Sequence, residues 1–152
     1  MPRKTDSHNP ADWLWIAAID VSAIQHLMKD EVGFIVCRSK LAEALEKIMK
    51  AELLRCGWIL EKTHDLERLL QALMARSSGL AEAAAPLCAA LAEAYFSDRY
   101  PGFDLDDPDW PALRTQVEQV AASPRRTRRH PDGMDEIGTG DCVKTPGRWN
   151  WA

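Results

Sequence analysis

Several features that would assign the chain to other classes of protein are missing. Its 152 residues contain no run of 18 apolar residues, so no transmembrane helix is expected. The polar start from Met1 to Asp6 leads into no apolar signal-peptide core, and we therefore expect a cytoplasmic protein. The four cysteines lack Cys-x2-Cys spacing, which disfavours a metal site, and we expect no cofactor. No alternating apolar and polar run is long enough to predict a β-strand.

Charge is distributed unevenly along the chain. Residues 1–122 hold 19 acidic and 13 basic residues, a net charge of −6, whereas residues 123–152 hold 4 and 6, a net charge of +2. The overall charge of −4 argues against a surface that coats nucleic acid generally. The cluster Arg125–Arg129 is of the kind that contacts nucleic acid without sequence preference, but such clusters are also common in inert tails.

Apolar residues at helical spacing predict two long helices in the first third of the chain. Asn9 and Pro10 suit a helix start, and the stripe that follows is Leu14, Ala17, Val21, Ile24 and Met28. Gly33 separates this helix from a second one, whose stripe is Phe34, Cys37, Leu41, Leu45 and Ile48. Gly57 suits the C-terminal cap of the second helix. Because the link between the two helices is short, we expect them to lie antiparallel.

Three further helices are predicted downstream. Thr63 or Asp65 caps the first of them, with an inward stripe of Leu66, Leu69, Leu70, Leu73 and Met74. The next runs from about Leu80 to Phe96, and Pro86 should kink it or mark a late start. The last runs from near Pro108 to Ala122, with Asp107 as its cap.

These patterns predict three parts: a flexible N-terminal arm (1–8), a helical bundle (9–122) and a disordered basic tail (123–152). Trp149 and Trp151 near the end of the tail are either a loose terminus or a docking element.

Three polar clusters interrupt the apolar pattern. They are Ala44–Ala51 with the form Ala-x-Glu-Lys-x-x-Lys-Ala, Thr63–Leu66 with the form Thr-His-Asp-Leu, and Arg99–Pro101 with the form Arg-Tyr-Pro. In this order, with a glycine (Gly57) after the first, they resemble the HEPN family of small all-α domains over roughly residues 12–121. The resemblance implies an up-and-down bundle of four to five helices, commonly dimeric. It also implies a role in nucleotide or RNA handling, often beside a minimal nucleotidyltransferase partner in toxin–antitoxin or defence modules.

The chain departs from the family pattern at two places. Ribonucleases of the family carry Arg-x4-6-His on a late helix, but no histidine follows Arg99 here. The family often has Gln-Gln where this chain has Ala42 and Glu43. A literal Arg-x4-His does occur from Arg125 to His130, but the predicted tail would not position the pair for catalysis.

The candidate ligand-binding residues are Lys47, Lys50, His64, Arg99 and Tyr100, with His64 and Arg99 as weak catalytic candidates. Lysine and arginine bind phosphate, tyrosine stacks on bases, and histidine titrates near neutral pH. Structural interpretations remain open beside these. Glu46 and Lys50 fit an exposed i,i+4 pair, His64 fits a turn-stabilising ring, and Arg99 fits a partner for an acid within 104–109.

The leading hypothesis is a nucleotide- or RNA-binding partner protein without catalytic activity or with little of it. The alternatives are a metal-independent ribonuclease toxin that uses His64 and Arg99, and a protein-interaction module that recruits partners through its tryptophans and basic tail.

Overall fold

The computed structural model describes residues 2–122, and within this range the protein is all-α, with six helices and no strand. The helices are α1 (Pro10–Lys29), α2 (Phe34–Arg55), α3 (Leu66–Ala75), α4 (Leu80–Leu91), α5 (Ala94–Ser97) and α6 (Trp110–Ala122). The expected all-α bundle is confirmed, with α5 a single short turn between longer helices. None of the described helices is both long and apolar enough to cross a membrane.

Predicted caps begin two of the helices. The Asn9 side chain accepts a hydrogen bond from the backbone amide of Ala11 at the start of α1. Asp65 accepts hydrogen bonds from the amides of Glu67 and Arg68 at the start of α3. Each bond satisfies a backbone donor that the first turn of a helix leaves unpaired.

The pairing of α1 with α2 is antiparallel, as the short link predicts. Asp20 of α1 contacts Lys47 of α2. Trp13 lies farther from the link on α1, and it contacts Lys50, which lies farther from the link on α2. Helix α2 also packs against α3, α4, α5 and α6, so it is the central helix of the bundle. Its inward apolar residues include Leu41, Leu45, Ile48, Met49 and Leu53, all essentially inaccessible to solvent.

Three local predictions are wrong. The helix predicted from Leu80 to Phe96 ends at Leu91, and a separate short helix, α5, follows from Ala94; Pro86 lies inside α4, so it does not mark a late start. The last helix is capped by Asp109, which accepts a hydrogen bond from the amide of Ala112, and not by Asp107. Met74 is exposed, because it lies about 80° round the helix from Leu66, at the edge of the apolar stripe.

The N-terminal arm folds back on the start of α1. Arg3 donates to one carboxylate oxygen of the buried Asp12 at 2.8 Å, and the amide of Asp6 donates to the other at 3.0 Å. The indole nitrogen of Trp13 donates to the carbonyl of Ser7 at 2.8 Å.

The division into arm, bundle and tail stays a prediction. The predictions about the tail, which concern Arg125–Arg129, His130, Trp149 and Trp151, lie outside the described residues.

Candidate functional site

A cleft of about 400 Å³ opens between α1, α2 and the segment that joins α2 to α3. Its lining is unusually rich in charge: three lysines, three glutamates and a histidine accompany two apolar side chains. We call this set the cleft: Trp13, Glu43, Glu46, Lys47, Lys50, Leu60, Glu61, Lys62 and His64. Three of the five predicted ligand-binding residues, Lys47, Lys50 and His64, therefore lie together.

The spacing of the charged residues on α2 explains why they share one wall. Glu43, Glu46, Lys47 and Lys50 stand at positions i, i+3, i+4 and i+7, which fall on one face of a helix. At the end of α2, Gly57 adopts a left-handed backbone with φ of +80°, which favours glycine. The chain then turns back, and the cap at Asp65 places the preceding residue, His64, at the mouth of the cleft.

Glu46 is the centre of the site. Its side chain accepts a hydrogen bond from the Lys50 ammonium at 2.7 Å, and both residues are buried, with exposed fractions of 6% and 3%. The interpretation of this pair as an exposed i,i+4 pair is therefore wrong. The Lys50 ammonium also lies 5.3 Å from the centre of the Trp13 ring, within the range of a cation–π contact.

His64 joins the same carboxylate from the opposite direction. Its Nδ1 lies 3.1 Å from one oxygen of Glu46 and 3.2 Å from the other. A carboxylate only accepts, so the ring donates to it from Nδ1, and Nε2 is the ring nitrogen that is left for a ligand. The side chain is 57% exposed, so the ring is open to a ligand. His64 thus contacts α2, and not the adjacent turn as its structural interpretation supposed.

Tyr95 on α5 connects His64 to Arg99. The Tyr95 and His64 rings are stacked, with centroids 4.9 Å apart and planes 15° apart, and the Arg99 guanidinium lies 4.2 Å from the Tyr95 centroid. Burial raises the pKa of the Tyr95 phenol, and the charges of Glu46 and Tyr100 add to the rise.

Arg99 is held at the edge of the cleft by two residues of α2. Its Nε donates to the hydroxyl of Ser39 at 3.0 Å, and it forms an ion pair with Glu43. The expectation of a partner within residues 104–109 is wrong, since the acid of that loop that pairs with an arginine, Asp106, does so with Arg38.

The remaining two candidates are Lys47, which lines the cleft, and Tyr100, which does not. Lys47 lines the cleft but forms an ion pair with Asp20 of α1. Tyr100 is exposed and is not part of the cleft lining.

Sequence reasoning does not identify as site residues Trp13, Glu43, Leu60, Glu61 and Lys62 of the cleft lining, or Tyr95 beside it. Tyr95 stands four residues before Arg99, and Glu43 three residues before Glu46. Helical spacing of three or four residues from a residue already singled out was therefore the signal that could have identified these two residues.

The chemistry available here is that of cations, carboxylates and one histidine. Within residues 2–122, no group of three or more His, Cys, Asp or Glu side chains is placed to hold a metal ion. Lysine and arginine can bind phosphate, flat rings can contact a base, and His64 can accept a proton at Nε2.

The fold and the site define a class: an all-α bundle whose central helix carries a charged, partly buried cleft. The model of the HEPN domain family matches residues 11–122, and the chain belongs to this family. It is therefore a helical domain of the nucleotide- and RNA-related kind. No curated protein and no solved structure matches the chain.

Proposed function

We propose that the cleft binds a nucleotide, either free or as part of an RNA. The observation that carries the proposal is the buried Glu46, which ties Lys50 and His64 together at the edge of an open cleft. A buried ion pair is a poor source of stability, because desolvation of the two charges offsets most of their attraction. Its presence beside an accessible histidine favours a role in ligand binding.

The surroundings of this ion pair suit the two halves of a nucleotide. Trp13 and the exposed ring of His64 offer flat ring surfaces of the kind that nucleic-acid bases contact. Lys62 is exposed at the cleft and makes no ion pair with any residue in the range 2–122, so it can take a phosphate. Arg99 lies at the edge of the cleft in an ion pair with Glu43, so Lys62 is the cation that is available to the phosphate.

Membership in the family supports a wider context for this binding. We propose that the protein is a homodimer and acts beside a minimal nucleotidyltransferase in a toxin–antitoxin or defence module. Co-expression with a neighbouring nucleotidyltransferase, followed by co-purification and sizing of the complex, tests this part. Failure of the two proteins to associate would contradict the partner role without touching the binding role.

The binding role is tested with filter binding of a short labelled RNA and titration of mononucleotides at low salt. The variant Lys62→Ala/His64→Gln changes two accessible side chains and should weaken binding about tenfold or more, the loss of two polar contacts. Lys29→Ala is the matched control, because Lys29 is exposed at the other end of α1. Absence of binding by the unaltered protein, or equal binding by the double variant, would contradict the proposal.

One observation also favours a metal-independent ribonuclease as a second candidate. The pairing of His64 with Glu46 through Nδ1 is the arrangement that orients a histidine as a general base at Nε2. This candidate requires RNA cleavage in the presence of a chelator that disappears in His64→Ala. Binding without cleavage would exclude it, in keeping with the lack of a family Arg-x4-6-His motif after Arg99.

A further inference from the structure

We infer that the cleft accepts a nucleotide with a single phosphate, or the terminal nucleotide of an RNA, in preference to a nucleoside triphosphate. This inference rests on the proposed function and specifies the substrate class of the same site. It comes from the charge balance of the cleft, which is close to zero despite its many cations.

The residues that line the cleft have no net charge. Three lysines and three glutamates line it, so its formal charge is zero while His64 is neutral. Sites that hold several phosphates have an excess of cations or bound metal ions, because each phosphate adds negative charge. The nine residues that line this cleft lack such an excess.

Two of the three lysines that line the cleft are already in ion pairs. Lys50 is bound to Glu46 and Lys47 to Asp20. Lys62 is the one cleft cation without an ion pair to the described part of the chain. A phosphate at Lys62 therefore meets a free cation, whereas a second or third phosphate would have to displace an existing carboxylate.

Two carboxylates of the cleft are bound by cations from outside its lining. Glu43 is bound by Lys40 at 2.7 Å and by Arg99, and Glu61 is bound by Arg68 at 2.7 Å. These acids occupy the cations that surround the cleft. Additional phosphates would lie close to like charges, which opposes their binding.

The backbone offers no substitute for the missing cations. The start of α3 adjoins the cleft, and the free amides of a helix N-terminus are a common phosphate site. Here the Asp65 carboxylate already accepts from the amides of Glu67 and Arg68, at 3.0 and 3.2 Å. A negative side chain therefore stands where a phosphate would bind.

The experiment compares monophosphates and triphosphates of the four bases by isothermal titration, without magnesium and at low salt. For each base that binds, the monophosphate should bind more tightly than the triphosphate, by about threefold. Equal or tighter binding of the triphosphate would overturn the inference while leaving the proposed function intact. If neither form of any base binds, and the short RNA does not bind either, the proposed function itself fails and this inference with it. If only the RNA binds, an RNA ending in a 3′-hydroxyl is compared with the same RNA carrying a 3′-phosphate, and tighter binding of the phosphorylated end would overturn the inference.

A charge variant tests the cause. Glu61→Gln removes one cleft carboxylate that is partly exposed, so the fold should be retained. The ratio of triphosphate to monophosphate affinity, or of 3′-phosphate to 3′-hydroxyl RNA affinity, should rise about fivefold. Glu118→Gln is the matched control, because it makes the same charge change at an exposed position on α6 and should leave the ratio unchanged. An unchanged ratio in Glu61→Gln would show that charge balance does not set the preference.

Discussion

Removal of either member of the buried pair Glu46–Lys50 should destabilise the bundle far more than removal of both. Breaking a buried ion pair at one partner generally costs about 3–5 kcal/mol, because the other charge is left without compensation. Replacement of both partners by apolar residues of similar size is often neutral or stabilising. The two residues are 6% and 3% exposed, so this behaviour should apply here.

The contacts of the two residues set the order of the effects. Glu46 is bound by both Lys50 and His64, whereas the ion pair of Lys50 is with Glu46 alone and its other neighbour is the face of Trp13. After Lys50→Met, the Glu46 carboxylate keeps its hydrogen bond with His64, and we expect a loss of about 2–3 kcal/mol. After Glu46→Leu, the buried ammonium keeps only the Trp13 ring, and we expect a loss of about 4 kcal/mol.

The assay is urea unfolding at pH 7 of the wild type, both single variants and Glu46→Leu/Lys50→Met, followed by circular dichroism. The double variant should lie within about 1 kcal/mol of the wild type, which makes the coupling energy several kcal/mol. Single variants that each lose less than about 1 kcal/mol, with additive effects in the double, would refute the reasoning, because the charges would then be accessible to water. The double variant should also bind nucleotide more weakly despite its intact fold, which separates the role in stability from the role in binding.

Three further predictions test the remainder of the structure. Tyr95→Phe should retain nucleotide binding because the ring still stacks on His64, whereas Tyr95→Leu should weaken it several-fold in the same titration; equal binding by both variants would contradict a positioning role. Asp109→Ala should lower the free energy of unfolding by about 1 kcal/mol in thermal melts, the usual cost of a lost helix cap, and an unchanged melt would contradict its role. The hydrogen bond from Arg3 lowers the pKa of Asp12, so this carboxylate stabilises the fold above its ordinary pKa and the contribution is lost as the pH falls through the lowered value. Asp12→Asn should therefore lower the melting temperature at pH 7, and the gap from the wild type should close below about pH 4; a gap that is independent of pH would contradict this assignment.

The helices could be predicted because their signals are local. The caps at Asn9 and Asp65 and the glycine after α2 act within a few residues, and apolar spacing reports which face each helix buries. The family pattern added the expectation of an up-and-down bundle and brought Lys50 and His64 forward as site residues.

The features of the fold and the site that could not be predicted from the sequence depend on contacts between distant segments. Arg99 has several acids within ten residues, yet it pairs with Glu43, 56 positions away, because α5 packs against α2 and carries the arginine there. Helix α4 ends at Leu91, five residues after Pro86, which is the obvious local signal. Spacing alone likewise could not show whether Glu46 and Lys50 form a surface pair or a buried one.

The central position of α2 unites these observations. A helix covered by five others has little surface for charged residues, so each charge on it needs a partner from another element or from its own next turn. Asp20 on α1 provides one partner, His64 before α3 another, and Arg99 after α5 a third. Two of the three polar clusters that interrupt the helical pattern thus supply partners to the third, which lies on α2. It follows that a charge-removing change on the cleft face of α2 should act on the element that supplies its partner, which is α1 for Lys47, the segment before α3 for Glu46 and the segment after α5 for Glu43.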